Sequence, residues 1–191
     1  MRKRQLPMLR GNKTVLGTVV IISTTILLFS FVKVQFPPRL QKKVDSAIKT
    51  TYAIEAYNLD PIKVSDRINR DTKAELGGDN LFKVHSAKEF VGYIYVGEAP
   101  SMKKVFDYVI LFNPDLTIKK SKVLIYREDY GLQIGSQRWL KQFIGLSIMD
   151  SVVYEETIDG IAGATISANS MTRATDNVLK TLKVLKENEL L

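Results

Sequence analysis

The chain has no cysteine and a single histidine, His85. The first absence excludes disulfides, zinc–thiolate centres, iron–sulfur clusters, c-type haem attachment and a lipoprotein's lipidated cysteine. With one histidine, no His-rich metal site can be built, and no metal ligands are assigned. Redox chemistry, if present, has to come from a borrowed organic cofactor. Acidic residues are missing from the first thirteen positions, where Arg2, Lys3, Arg4, Arg10 and Lys13 carry five of the formal +8 charges. The remainder is only mildly basic and holds no DNA- or RNA-binding motif. Nucleic acid is not an expected partner, because that role needs a basic face on the fold itself. No internal repeat or low-complexity segment is found in the 191 residues, a length that suits one domain with some extra.

Hydrophobic residues make up 45% of the sequence, with eight Tyr and eight Phe, so a sizeable core can form. One apolar stretch stands apart. TVLGTVVIISTTILLFSFV, Thr14 to Val32, carries no charge over nineteen residues. At about 1.5 Å per helical residue it comes close to the roughly 30 Å of a bilayer core. The acid-free basic cluster before it is tighter than the basic flank of Lys33, Arg39, Lys42 and Lys43 after it. The positive-inside rule then predicts a cytoplasmic N-terminus, with everything after the span outside the cytoplasm. The exit FVKVQFPP offers no small-x-small cleavage site, and the run is longer than a signal-peptide core. We therefore expect a single-pass anchor in a bacterial inner membrane. The implied divisions are a basic N-terminus (1–13), a transmembrane helix (14–34), a juxtamembrane helix and linker (35–79) and a main domain (80–191).

Pro37 and Pro38 break the membrane helix, since proline cannot donate to the helical ladder. Beyond them Leu40, Val44, Ala47, Ile48 and Thr51 share one helical face, which predicts a short amphipathic helix packed on its own domain. The polar stretch from Asn58 to Asn80 reads as irregular structure. Four strand-like runs follow: 81–85, 90–96, 104–112 and 116–126. In the third, Phe106, Tyr108, Ile110 and Phe112 alternate onto one face, and Asn113-Pro114-Asp115 supplies a turn. Gly131 and Gly135 mark a loop, and Trp139, Leu140 and Phe143 begin a short helical pattern. A last helix is expected over 168–188, with Met171, Ala174, Val178, Leu182 and Leu185 as a core stripe. Strands in the middle and helices at the ends predict an α+β domain, an antiparallel meander packed with helices.

The segment IDGIAGATIS, Ile158 to Ser167, stands directly before that helix. Gly163 permits unusual backbone angles and Ala164 adds little bulk, so Thr165 is a hydroxyl on a bare loop. Ser167 or Asn169 can cap the helix. Three readings stay open on these letters. The loop is a plain strand-to-helix connection; or Thr165 is a protease-type nucleophile, for which no base is in sight; or a helix start that favours phosphate lies beside a hydroxyl nucleophile, which a phosphoester attachment needs.

Asp159 to Ser167, DGIAGATIS, resembles the flavinylation motif of the FMN-binding domain family, whose pattern is roughly Asp-x-x-(Ser/Thr)-Gly-Ala-(Thr/Ser)-x-(Ser/Thr). Members include the G subunit of Rnf complexes and the C subunit of sodium-translocating NADH:quinone reductases. The resemblance implies FMN joined through its phosphate to Thr165, installed from FAD by an ApbE-type flavin transferase. It makes Gly163, Ala164, Ser167 and Asp159 part of the cofactor site. EDYGLQIG aligns with the family's Glu-Thr-Pro-Gly-Leu-Gly block and adds Glu128, Gly131 and Leu132. Tyr130, Leu132, Trp139 and Phe143 are candidates to stack on the flavin ring, though each also suits a core. Three departures stand out. Ala162 occupies a position where the family usually has Ser or Thr, Asp129-Tyr130 replaces Thr-Pro, and KKVFDYVIL stands where a glycine-rich segment often opens the strand pair. The function implied is a membrane-anchored electron carrier, working with other subunits of a membrane redox complex of Rnf or sodium-pump type. The alternatives are a membrane-anchored assembly module without flavin and an FMN-dependent extracytoplasmic reductase.

Overall fold

The computed structural model describes residues 36–191 apart from 75 and 78. The basic cluster and the apolar run with its expected membrane helix lie outside the described residues. Among the described residues, no helix is long and apolar enough to cross a membrane. The architecture is α+β. Five strands, β1 (Asn58–Pro61), β2 (Leu81–Ser86), β3 (Glu89–Pro100), β4 (Val105–Phe112) and β5 (Ile118–Ile125), form one sheet in chain order. Every neighbouring pair is antiparallel.

Both faces of the sheet are covered. Helix α1 (Pro38–Tyr52) buries Leu40, Val44, Ala47 and Ile48 on one face. They meet Phe82, Val84, Ile94, Val96, Val109 and Leu111. Proline at its first position suits a helix start, and Ala53 closes it in the left-handed conformation. The Tyr52 hydroxyl lies 2.9 Å from the Tyr93 carbonyl and 2.7 Å from that of Phe112, locking the helix end to the sheet. The other face carries Phe106, Tyr108, Ile110 and Phe112. Against it pack helix α4 (Thr165–Glu187) and a string of short helical turns at 132–143 that includes α3 (Gln137–Leu140). Strand β4 is thus buried on both sides, which is why VFDYVILF is apolar at nearly every position rather than at alternate ones. A fully buried Phe or Ile contributes roughly 1.5–3 kcal/mol of hydrophobic stabilisation.

The expected core stripe of α4 is in place, with Met171, Val178, Leu182 and Leu185 buried and Ala174 partly so. Thr172 and Thr175 are also buried, their hydroxyls donating to the Ala168 and Met171 carbonyls one turn back. Two readings of the middle region change. The polar stretch before β2 is not simply irregular: it supplies β1, a four-residue helix α2 (Asp66–Asn69), and the buried Ile62, Ala74 and Leu76. The Thr181 hydroxyl accepts from the Lys73 and Ala74 amides at 3.1 and 2.8 Å, pinning this stretch to α4. In β3, the pairing shifts so that Val84 faces Gly92 while His85 faces Phe90, leaving Val91 as an extra residue. That bulge puts Val91 on the α1 side, away from Tyr93 and Tyr95, with which an unbroken alternation along the strand would group it.

Candidate functional site

The loop before α4 is shaped by its small residues. After the bridge between Tyr154 and Ile158, the chain turns at Ile161–Ala164, where the Ala164 amide donates to the Ile161 carbonyl at 3.2 Å. Gly163 sits at φ 79°, a left-handed conformation that glycine adopts without a Cβ penalty. The helix then begins at Thr165, three residues earlier than the sequence pattern indicates. Ala164 is its N-cap, and no side chain caps it. The expected cap by Ser167 or Asn169 is therefore absent, because both already lie inside the helix. Ser167 is buried instead, its Oγ 2.9 Å from the Tyr126 hydroxyl.

This places unusual groups at the helix start. Among the described residues, the amides of Thr165, Ile166 and Ser167 make no hydrogen bond, and the first turn holds no acidic residue. The partial positive charge of the helix N-terminus, about half an elementary charge, is left uncompensated there. Thr165 is exposed at the first helical position.

A second layer holds the loop from behind. A Cβ on Gly131 would stand 2.8 Å from the Tyr126 hydroxyl, 3.2 Å from the Gly163 carbonyl oxygen and 3.6 Å from the Ala164 Cβ. The Gln133 side chain packs against Gly163. Trp139 Nε1 donates to the Asp159 carbonyl at 2.7 Å, and the Asp159 amide donates to Gln142 Oε1 at 2.9 Å. Gly131, Asp159, Gly163, Ala164, Thr165 and Ser167 are thereby brought together, Asp159 through its backbone while the residue itself is exposed. Leu132 and Tyr130, 66% and 86% exposed, are free to meet a ligand. Trp139 and Phe143 are not: both are buried, ring centroids 5.3 Å apart.

Glu128 lies elsewhere. Its Oε1 accepts from the Ser101 hydroxyl and from the amides of Lys103 and Lys104 at 2.7, 2.7 and 2.9 Å, clamping the β3–β4 turn. These bonds, the Lys103 amide first, hold its carboxyl below the usual carboxylate range. One residue at the site was not singled out from the sequence. The Tyr154 phenol and the Glu155 carboxylate both lie against Gly160, where a Cβ would stand 3.1 Å from the phenol oxygen and 3.2 Å from Glu155 Oε1. Desolvation pushes that phenol up, and the Glu155 charge adds to it. No periodicity marks Tyr154, eleven residues before Thr165.

The stretch that contains all these groups has a recognisable relationship. Residues 103–180 match the family model of the FMN-binding domain. This segment is an FMN-binding domain. The match runs from just before β4 to the last third of α4 and takes in Glu128, Gly131, Leu132, Asp159 and the 163–167 run, while α1 and β1–β3 precede it. No curated protein matches the chain. FMN is the cofactor of this domain type, and the residues present fit it. An uncapped helix start with three free amides suits a phosphate, Gly163 keeps the approach free of side-chain bulk, and Ala162 leaves no hydroxyl to compete for those amides.

Proposed function

We propose that the protein is a membrane-anchored flavoprotein electron carrier whose FMN is joined by a phosphoester to Thr165. The observation that carries the reading is the start of α4: an exposed threonine hydroxyl at the first position of an uncapped, acid-free helix. A phosphate esterified to that hydroxyl would lie among amides that have no partner among the described residues. The FMN-binding domain match supports flavin as the group attached. When bound, the flavin supplies one- and two-electron transfer. The protein's own part is to hold it: Gly163 and Ala164 leave room, and Gly131, Gln133 and Trp139 fix the loop. Tyr130, Leu132 and Ile166 are exposed apolar side chains flanking Thr165 in sequence or through the Gly131 contact, and they offer surface to the ring.

In this reading the apolar run Thr14–Val32 is the anchor, and the domain sits outside the cytoplasm of a bacterial inner membrane. Covalent attachment suits that compartment, where a dissociable FMN would be lost. The partners are the flavin transferase and the other subunits of an Rnf- or sodium-pump-like complex. The chain made with an ApbE-type transferase and FAD should gain the mass of FMN less water, and Thr165→Ala should gain nothing. An adduct that survives Thr165→Ala would overturn the assignment.

A further inference from the structure

The outer side of α1 is a basic surface. Leu40, Val44, Ala47 and Ile48 point into the sheet, and the helical period then turns Arg39, Lys42, Lys43 and Lys49 outward with Ser46 and Thr50. The edge strand β5 continues that surface. Lys120 and Lys122 pair with Leu111 and Val109, which belong to the core beneath α1, so both lysines rise on the α1 side. Lys122 Nζ donates to the Thr50 hydroxyl at 3.2 Å, and Lys119 Nζ stands 5.9 Å from the centre of the Tyr52 ring, which joins strand and helix into one patch. Together α1 and β5 hold seven basic residues and a single acid, Asp45, which pairs with Lys49 at 3.5 Å. Among the described residues, the other six basic side chains have no carboxylate within ion-pair distance. Unpaired like charges repel, so a surface of this kind is stabilised by an anion from outside.

The make-up of the patch selects the anion. Among the described residues, no exposed large hydrophobic side chain lies in α1 or β5. A protein interface is built around aromatic and apolar anchors and is poor in lysine. Six of the seven cations here are lysines, mobile point charges that hold phosphates without the fixed geometry of a forked guanidinium. The tether narrows the choice further. The uncharged run ends at Val32, and the chain is already seated on the domain at Phe36, whose ring meets Phe82 edge-on at 5.9 Å on the α1 side of the sheet. Four residue steps span at most about 14 Å. We propose that the α1–β5 patch docks the domain on the bilayer that holds its anchor, its lysines gripping the phosphates of anionic phospholipids. The inference rests on the membrane-anchored reading above. It also gives the domain a direction: α4 and the loop before it pack on the opposite face of the sheet, so docking through α1 leaves Thr165 turned away from lipid and open to a transferase.

The experiment places the full chain in nanodiscs of phosphatidylcholine, with and without phosphatidylglycerol, and follows amine acetylation of each lysine by mass spectrometry. With phosphatidylglycerol, Lys42, Lys43, Lys120 and Lys122 should label at least about fivefold more slowly than in phosphatidylcholine alone. Lys103 in the β3–β4 turn and Lys183 on α4, both exposed, should label at the same rate in the two bilayers. Salt at about 1 M, which shortens electrostatic reach from about 8 Å to about 3 Å, should close the gap. Lys42→Glu with Lys43→Glu, both at exposed positions, should remove the slowing at Lys120 and Lys122. Equal rates in the two bilayers, slowing that reaches Lys183 to the same extent, or slowing produced by polyglutamate or an oligonucleotide but not by phosphatidylglycerol would overturn the inference and leave the anchor standing. A chain that does not stay with the nanodiscs would overturn both the anchor and the docking.

Discussion

Replacing Gly131 with alanine tests how the loop behind the proposed attachment site is held. Gly131 has φ 78°, and its missing Cβ leaves room for the Tyr126 hydroxyl, the Gly163 carbonyl and the Ala164 methyl to close around it. An alanine there takes on left-handed strain of about 1–2 kcal/mol. Its methyl would also stand 2.8 Å from the Tyr126 hydroxyl, inside contact distance. The tyrosine has to move, and its 2.9 Å bond with the buried Ser167 hydroxyl is lost, at a further cost of about 1 kcal/mol. The Gly163 carbonyl, 3.2 Å from the same methyl, is backbone and gives less readily. Together these predict a destabilisation of about 2–3 kcal/mol, or a melting temperature lower by about 4–12 °C for a domain of this size. The chain carries its own reporter. Trp139 is the single tryptophan, it is buried, and its indole N–H bonds to Asp159 in the loop before α4. Urea unfolding followed by Trp139 fluorescence should show the lower midpoint, and flavin addition should slow because the loop is displaced. A Gly131→Ala chain within about 0.5 kcal/mol of wild type, with an unchanged rate of addition, would refute the argument that Gly131 sets this packing.

Two further outcomes test other parts of the fold. Thr181→Ala leaves the Lys73 and Ala74 amides without their acceptor in a buried setting. It should cost about 1–3 kcal/mol in urea unfolding, against little change for Thr181→Ser. The lowered Glu128 carboxyl makes the β3–β4 turn pH-dependent. Its stabilisation is fully present above the ordinary carboxylate value of about 4.3 and is lost as pH falls through the lower folded value. Wild type should therefore melt above Glu128→Gln at neutral pH, and the gap should close on acidification below pH 4; a gap independent of pH would show that the carboxylate charge plays no part in the clamp.

Much of the layout could be read along the chain. The α1 face of Leu40, Val44, Ala47 and Ile48, the alternating face of β4 and the stripe of α4 are local periodicities, and each element buries those residues. The strand β1 could not be read. NLDP alternates over only four residues and ends in proline, too short a pattern to mark a strand, and it takes its place as one by pairing along β2. The Val91 bulge was equally invisible, since a single extra residue changes facing without changing composition. At the site, the small residues 162–164 and the exposed Thr165 were legible because bareness is a property of the letters. The missing cap was not, because three more helical residues form at the start of α4 than its own capping residues indicate.

The sequence alone therefore determined which hydroxyl is presented and which elements frame it, because backbone freedom, side-chain size and hydrophobic period act over a few neighbouring residues. Only the tertiary structure decided what surrounds that hydroxyl. It brought the Tyr154 phenol and the Glu155 carboxylate together over Gly160, tied Trp139 to Asp159 from twenty residues away, and drew Glu128 to the β3–β4 turn. Those contacts join residues whose separation along the chain carries no period, and closing the chain around two packed faces of one sheet is what creates them.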